Sequence, residues 1–180
     1  MRQAGYTLLE ILLVIAVIAI GTVGIIATYS TVSFNAKVNQ TSADIMEITD
    51  NVQTSWGNMQ SYNGLTNATA VQQNLIPDRL LQDGGVVSPL GPVILGYAGV
   101  ARDSLAITIE MSEEGCVKLI QQLAEQMHQI RIGGPGQSLS VSEAGHTNPS
   151  EVARLCQTGA PVSFIHYQKG FGRRAVWESW

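Results

Sequence analysis

The chain has 180 residues, enough for one compact domain and an appendage, with 45% hydrophobic and 13% charged residues, the latter about half the usual share for a soluble globular protein. Its formal net charge is −4, and beyond Ala36 it carries 9 basic and 13 acidic residues; so mildly acidic a surface argues against a nucleic-acid partner held by a broad basic field. Its two cysteines, Cys116 and Cys156, read as unrelated buried thiols in a cytosolic chain and as a disulfide if the chain crosses a membrane.

The chain opens MRQAGYTLLE and runs straight into ILLVIAVIAIGTVGIIA, residues 11–27, with no charge between Glu10 and Lys37. A buried core helix is rarely apolar on every face over such a length. A secretory signal has a shorter apolar region, of roughly 7–15 residues, and ends at an A-x-A-like site that is not found here. A membrane helix fits best, since about 20 helical residues cross the hydrocarbon core. Arg2 precedes it, which places the N-terminus in the cytoplasm and everything after Lys37 outside. Glu10 is then costly, because a carboxylate against lipid costs several kcal/mol and normally has a partner. Nothing basic lies within a helical turn of it, so its partner must be a new charge or another molecule.

Beyond Ala36 the pattern becomes amphipathic. Val38, Ile45, Ile48, Val52, Trp56 and Met59 recur at helical spacing, while Asp44, Glu47, Asp50 and Asn51 are expected on the other face. The helix should continue to about Gly57 or a turn beyond, packed on one side against a globular head. Gly21 and Gly24 lie in its apolar half, where either local unwinding or close helix packing explains them. A turn at Ser61–Leu65 leads to a short helix over Ala68–Leu75, stopped at Pro77. Gly84-Gly85 and the S-P-L-G-P run from Ser88 are expected to punctuate a loop leading to strands. Leu105, Ile107, Ile109 and Met111 alternate as a half-buried strand. Cys116, Leu119, Ile120, Leu123 and Met127 return to helical spacing. Leu139 and Val141 mark a short strand after a Gly/Pro-interrupted stretch beginning at Arg131. Asn148-Pro149-Ser150-Glu151 reads as a helix start, with a capping Asn and Pro at the first helical position. Val162–Gln168 closes the chain as a strand. The fold class is α+β: a long N-terminal helix, half membrane and half amphipathic, packed against a mainly antiparallel β-sheet head.

Catalytic and metal signatures are weak. His128, His146 and His166 are scattered with no zinc-spaced pair, and the cysteines lack a C-x-x-C partner. Gly133–Gly136 lacks the Lys-Ser/Thr of a P-loop and reads as a turn. Trp177 and Trp180 with Arg173 and Arg174 form an aromatic, basic tail, read as a solvated end or subunit contact. No catalytic residue, cofactor or metal is expected.

The residues A-G-Y-T-L-L-E followed by the apolar run resemble the processing site of a type IV prepilin. That resemblance implies a leader over residues 1–5, cleavage after Gly5 by a membrane-embedded prepilin peptidase, and N-methylation of the freed amine of Tyr6. It assigns residues 6–36 to the membrane and assembly half of the helix, 37–60 to its amphipathic half and 61–180 to the head. Glu10 becomes an assembly residue, neutralising the Tyr6 amine of a neighbouring copy and offsetting the desolvation of both charges. The layout of Cys116 and Cys156 resembles the C-terminal disulfide region of these pilins. Ile76-Pro77-Asp78 before Pro89-Leu90-Gly91, and C-V-K-L at Cys116–Leu119, resemble the type IVb class, to which bundle-forming and conjugative thin-pilus pilins belong. The five-residue leader is shorter than that class usually has. The implied function is a major pilin, polymerised through its helix for adhesion, aggregation or conjugation; a minor pilin or a type II secretion pseudopilin shares the same chemistry. The implied partners are other copies of the chain, the peptidase and an inner-membrane assembly platform. The implied location is the bacterial inner membrane and then the cell surface.

Overall fold

The computed structural model describes residues 7–59, 61–82, 84–99, 102–133, 139–143 and 146–167, with the backbone alone for 21–28, 139–143 and 146–147. The chain divides into two compact units, Met1–Lys37 and Val38–Trp180. The first helix, α1, covers Leu8–Trp56 and contributes to both units.

In the second unit, the amphipathic spacing is realised as expected: Val38, Ile45, Ile48, Val52 and Trp56 are all buried. Two details differ. The helix stops at Trp56, which leaves Met59 exposed rather than in the apolar stripe. Asp44 does not take the solvent face; it is 2% exposed. A position next to Ile45 and one turn before Ile48 is covered wherever the head wraps a wider arc than a single stripe, and here Thr41, Ser42 and Thr49 are buried too.

After α1 come α2 (Asn67–Gln72), a 3₁₀ turn (Asp78–Leu80) and strands β1 (Leu81–Gln82), β2 (Gly85–Ser88), β3 (Gly91–Ala98) and β4 (Ser104–Ile109). Then follow α3 (Glu113–Leu123), β5 (Gln129–Ile132), β6 (Leu139–Glu143), β7 (His146–Thr147), α4 (Pro149–Cys156) and β8 (Val162–Tyr167). The second helix ends earlier than Leu75: Thr66 and Thr69 form a reciprocal cap at its start, and Asn74 turns the chain with φ 54°. Leu75 and Ile76 then enter the core outside any helix. The glycine and proline runs expected to mark a loop instead bound strands, because β2 and β3 form a hairpin with Ser88 opposite Gly91. Gly91 has a steric reason: a Cβ there would come within 1.9 Å of the Glu110 carbonyl oxygen.

The strands described lie in the order β1-β2-β3-β4-β8-β5-β6-β7, and every pairing is antiparallel. The last described strand is thus one of the two central ones, inserted between β4 and β5. The register aligns Val93, Ile109, Val162 and Ile132 in one row across the sheet, and Leu95, Ile107, Phe164 and Ile130 in the next. All eight are buried, and period 2 puts them on one face. His166 shares that face and lies 2.7 Å from Gln53 of α1, so this is the face turned toward the helix. The opposite face carries half-exposed Ile94 and a hydroxyl pair, Thr108 with Ser163 at 2.9 Å.

Candidate assembly site

Gly5 and Tyr6, the expected cleavage and methylation positions, lie outside the described residues. Glu10 stands in the first turn of α1, where Glu10 and Ile11 donate their amides to the Thr7 carbonyl at 3.0 and 3.3 Å. A carboxylate there faces the positive end of the helix dipole, worth about 0.3–1 kcal/mol. The Glu10 side chain is exposed. Around it the aliphatics are bare on every face: Leu8, Leu9, Ile11–Ile15, Val17, Ile18 and Ile20 are between 50% and 77% exposed. So continuous an apolar surface marks an interaction site. Among the described residues no helix is long and apolar enough to cross a membrane, so the expected span is not carried by them; the side chains of 21–28, in the middle of the apolar run, lie outside the description.

In the head, the two expected cysteines are brought together. Cys116 on α3 and Cys156 on α4 form a disulfide with Cα atoms 5.8 Å apart, and both are 2% exposed. Each helix is placed by its cap: the Ser112 hydroxyl accepts from the Gly115 amide, and the Asn148 side chain accepts from Ser150, with Pro149 in the first turn. The bridged loop contains β5, β6 and β7, so the bond ties the strands on one side of β8 back to the helical layer.

Three further anchors were not legible in the sequence. Arg79 of the 3₁₀ turn donates from Nε and from a terminal nitrogen to Asp44 Oδ1, at 2.9 and 2.6 Å, and also pairs with Glu47. Hydrogen bonds to Glu47 and Asp44 raise the guanidinium pKa, so it stays charged. Asn67 donates to the Val93 carbonyl at 2.8 Å and accepts from the Leu95 amide at 2.7 Å; one side-chain amide occupies the edge of β3 where a neighbouring strand would otherwise bond. Trp56 and Tyr62 stack with centroids 6.4 Å apart, and Trp56 Nε1 donates to Gln73 at 2.7 Å. Arg79 is separated from Asp44 by 35 residues and Asn67 from Leu95 by 28, and no local pattern announces either. Trp177, Trp180, Arg173 and Arg174 lie outside the described residues, as do Gly134–Gly136.

The comparisons with known proteins agree on the two parts of the chain. A family model described as PilS N terminal matches residues 35–166, and one described as the prokaryotic N-terminal methylation motif matches residues 1–26. Among solved structures, the chain is similar to the crystal structure of TcpA, a type IV pilin from Vibrio cholerae El Tor biotype. That likeness has a TM-score of 0.52 and 12% identity over 73% of this chain and 99% of that one; it is a likeness of fold. No curated protein matches by sequence.

Proposed function

The chain belongs to the PilS N-terminal family, and from that premise we propose that it is the major structural subunit of a type IVb-like pilus. The observation that carries the reading is the bare aliphatic run of α1 with Glu10 at its head, inside a segment that matches the methylation motif. Cleavage after Gly5 frees an ammonium at Tyr6. In the growing fibre Glu10 of an incoming copy meets that ammonium on an adjoining copy, and two separately desolvated charges become one pair. The carboxylate thereby selects the axial register of assembly. The aliphatic surface passes from lipid to a bundle of like helices, so extraction exchanges one apolar surrounding for another. The membrane-inserted precursor, the prepilin peptidase and an inner-membrane assembly platform complete this scheme, and the heads form the outer surface used in adhesion, aggregation or conjugation. A major pilin, unlike a minor pilin or pseudopilin, dominates the protein of sheared surface filaments.

Mass spectrometry of such filaments tests the scheme. The expected mature N-terminus is methylated Tyr6, and Glu10→Ala is expected to abolish filaments while leaving precursor in the membrane. An unprocessed Met1, or normal fibres from Glu10→Ala, would overturn it.

A further inference from the structure

Of the eight asparagines in the chain, Asn63 alone is followed by glycine. The pair forms the tip of a tight turn. The Leu65 amide donates to the Tyr62 carbonyl at 3.0 Å and Gly64 has φ 90°, as in a type II β-turn with glycine at its third residue. Both residues are exposed. The Asn63 amide donates to the Ser61 hydroxyl at 3.1 Å, and the Gly64 carbonyl accepts from the Thr69 hydroxyl at 3.0 Å. Among the described residues the Gly64 amide has no acceptor. Arg102 reaches this turn from the connection between β3 and β4. Its carbonyl accepts from the Tyr62 amide at 2.8 Å, and its guanidinium lies 5.0 Å from the centroid of the Tyr97 ring. A terminal nitrogen of that guanidinium donates to Asn63 Oδ1. Arg102 has φ 55°, a left-handed conformation that a non-glycine residue keeps only where its surroundings hold it.

We propose that Asn63 is a self-modification site, where Arg102 activates the carboxamide for attack by the Gly64 nitrogen and deamidation follows. Glycine accepts φ of either sign, so the Asn63–Gly64 peptide plane can turn over and bring that nitrogen toward Asn63 Cγ. The Tyr62–Leu65 hydrogen bond survives the rotation, since type I and type II turns share it. The approach is open, because even a Cβ built at Gly64 would meet nothing within 4 Å. The Arg102 guanidinium, held against a ring, is a preorganised donor aimed at the oxygen where negative charge develops. The step balances with water alone. The Gly64 amide proton passes to water, its nitrogen bonds to Cγ, and Arg102 holds the oxyanion on Oδ1. Collapse breaks the Cγ–Nδ2 bond and, with protons from water, releases ammonia and leaves a five-membered succinimide. Water then opens the ring at either carbonyl, which gives aspartate or isoaspartate at position 63. The new carboxylate faces Arg102, so a hydrogen bond to a neutral oxygen becomes a charge-assisted one, and the head gains one negative charge. The chemistry belongs to the head and is independent of how the chain assembles; in a fibre it would mark each head once and irreversibly, so the marked fraction would record the age of the filament.

The test is peptide mapping by mass spectrometry on the full-length chain in detergent micelles, sampled during incubation at neutral pH beside a sample unfolded in urea. In the folded chain position 63 should exchange amide for acid faster than the other asparagines do, with isoaspartate among the products. Arg102→Met should slow the folded reaction about tenfold, short of the roughly hundredfold lost with an oxyanion donor in a closed active site, because this one stands in water. In urea, where the guanidinium is no longer held against Asn63, variant and wild type should react alike. The comparison separates activation from packing: if the arginine merely held the turn, its removal would let Asn63 react faster. The proposal is overturned if Asn63 stays intact in the folded chain while the unfolded chain converts, or if folded Arg102→Met reacts as fast as wild type or faster.

Discussion

Tyr62 offers the sharpest test of how the head is held together. The residue is 1% exposed, its amide donates to the Arg102 carbonyl at 2.8 Å, and its ring stacks on Trp56. Yet its phenolic oxygen has no hydrogen-bond partner among the described residues. A buried hydroxyl left unpaired costs about 1–3 kcal/mol in lost hydration. Tyr62→Phe removes that oxygen and keeps the ring, its rotamer and its stack, so it should stabilise the head by about 1–2 kcal/mol. For a folding unit of this size that is a rise in melting temperature of about 3–6 °C, read by circular dichroism on the detergent-solubilised full chain. A second arm uses pH. Burial raises the phenol above its ordinary value of 10.0, so the folded chain holds this proton more tightly than the unfolded chain does. The stability tied to the group is therefore fully present below pH 10 and is lost as pH rises from the ordinary value through the raised one. Wild type should show this alkaline loss and Tyr62→Phe should show less of it. If Tyr62→Phe lowers the melting temperature, the hydroxyl is satisfied and the reasoning fails.

Three other outcomes follow from the same anchors. Cys156→Ser should lose about 4 kcal/mol under oxidising conditions, the chain-entropy value for a loop with 39 intervening residues; identical melting of wild type with and without reductant would contradict it. Arg79→Met strands the buried Asp44 carboxylate, so it should lower the urea midpoint more than the double variant Arg79→Met/Asp44→Asn does, and additive effects in that cycle would show the pair to be uncoupled. Asn67→Ala unpairs the Leu95 amide and the Val93 carbonyl, for a loss of about 1–3 kcal/mol and faster hydrogen exchange at Leu95; unchanged exchange there would show the edge to be protected by something else.

The elements legible in advance are those whose reason for existing is local. The stripe Val38–Trp56 is a periodicity, and the start of α4 is a cap written in consecutive residues, Asn148-Pro149-Ser150-Glu151. Neither needs a distant partner, and both formed as expected. The hairpin of β2 and β3 was hidden because its glycines and prolines signal chain reversal without saying whether strands flank the turn; the steric demand that selects Gly91 comes from Glu110, one residue past the end of β4. Strand β5 was hidden for another reason. Four residues, Gln129–Ile132, carry too little alternation to stand apart from the glycine stretch behind them, and only β8, arriving 30 residues later, gives them a neighbour. The sheet order itself rests on long-range pairing, and no run of residues states that the last described strand belongs in the middle.

The same distinction divides the candidate sites. Glu10 is conspicuous because an acid beside an aliphatic run is an imbalance visible with no structure at all, and the methylation-motif match falls on that imbalance. Asp44 is the opposite case. It reads as an ordinary solvent-facing acid, and what makes it a structural residue is an arginine in a 3₁₀ turn that the sequence places after a helix and a proline. The contact between the His128 and His166 rings, 4.4 Å between centroids, is hidden more deeply still, since each residue is unremarkable alone and the two meet only through the β5–β8 pairing. A one-residue slip of β5 against β8 would send Ile130 to the opposite face of the sheet, so the core row of Leu95, Ile107, Phe164 and Ile130 stands or falls on that register.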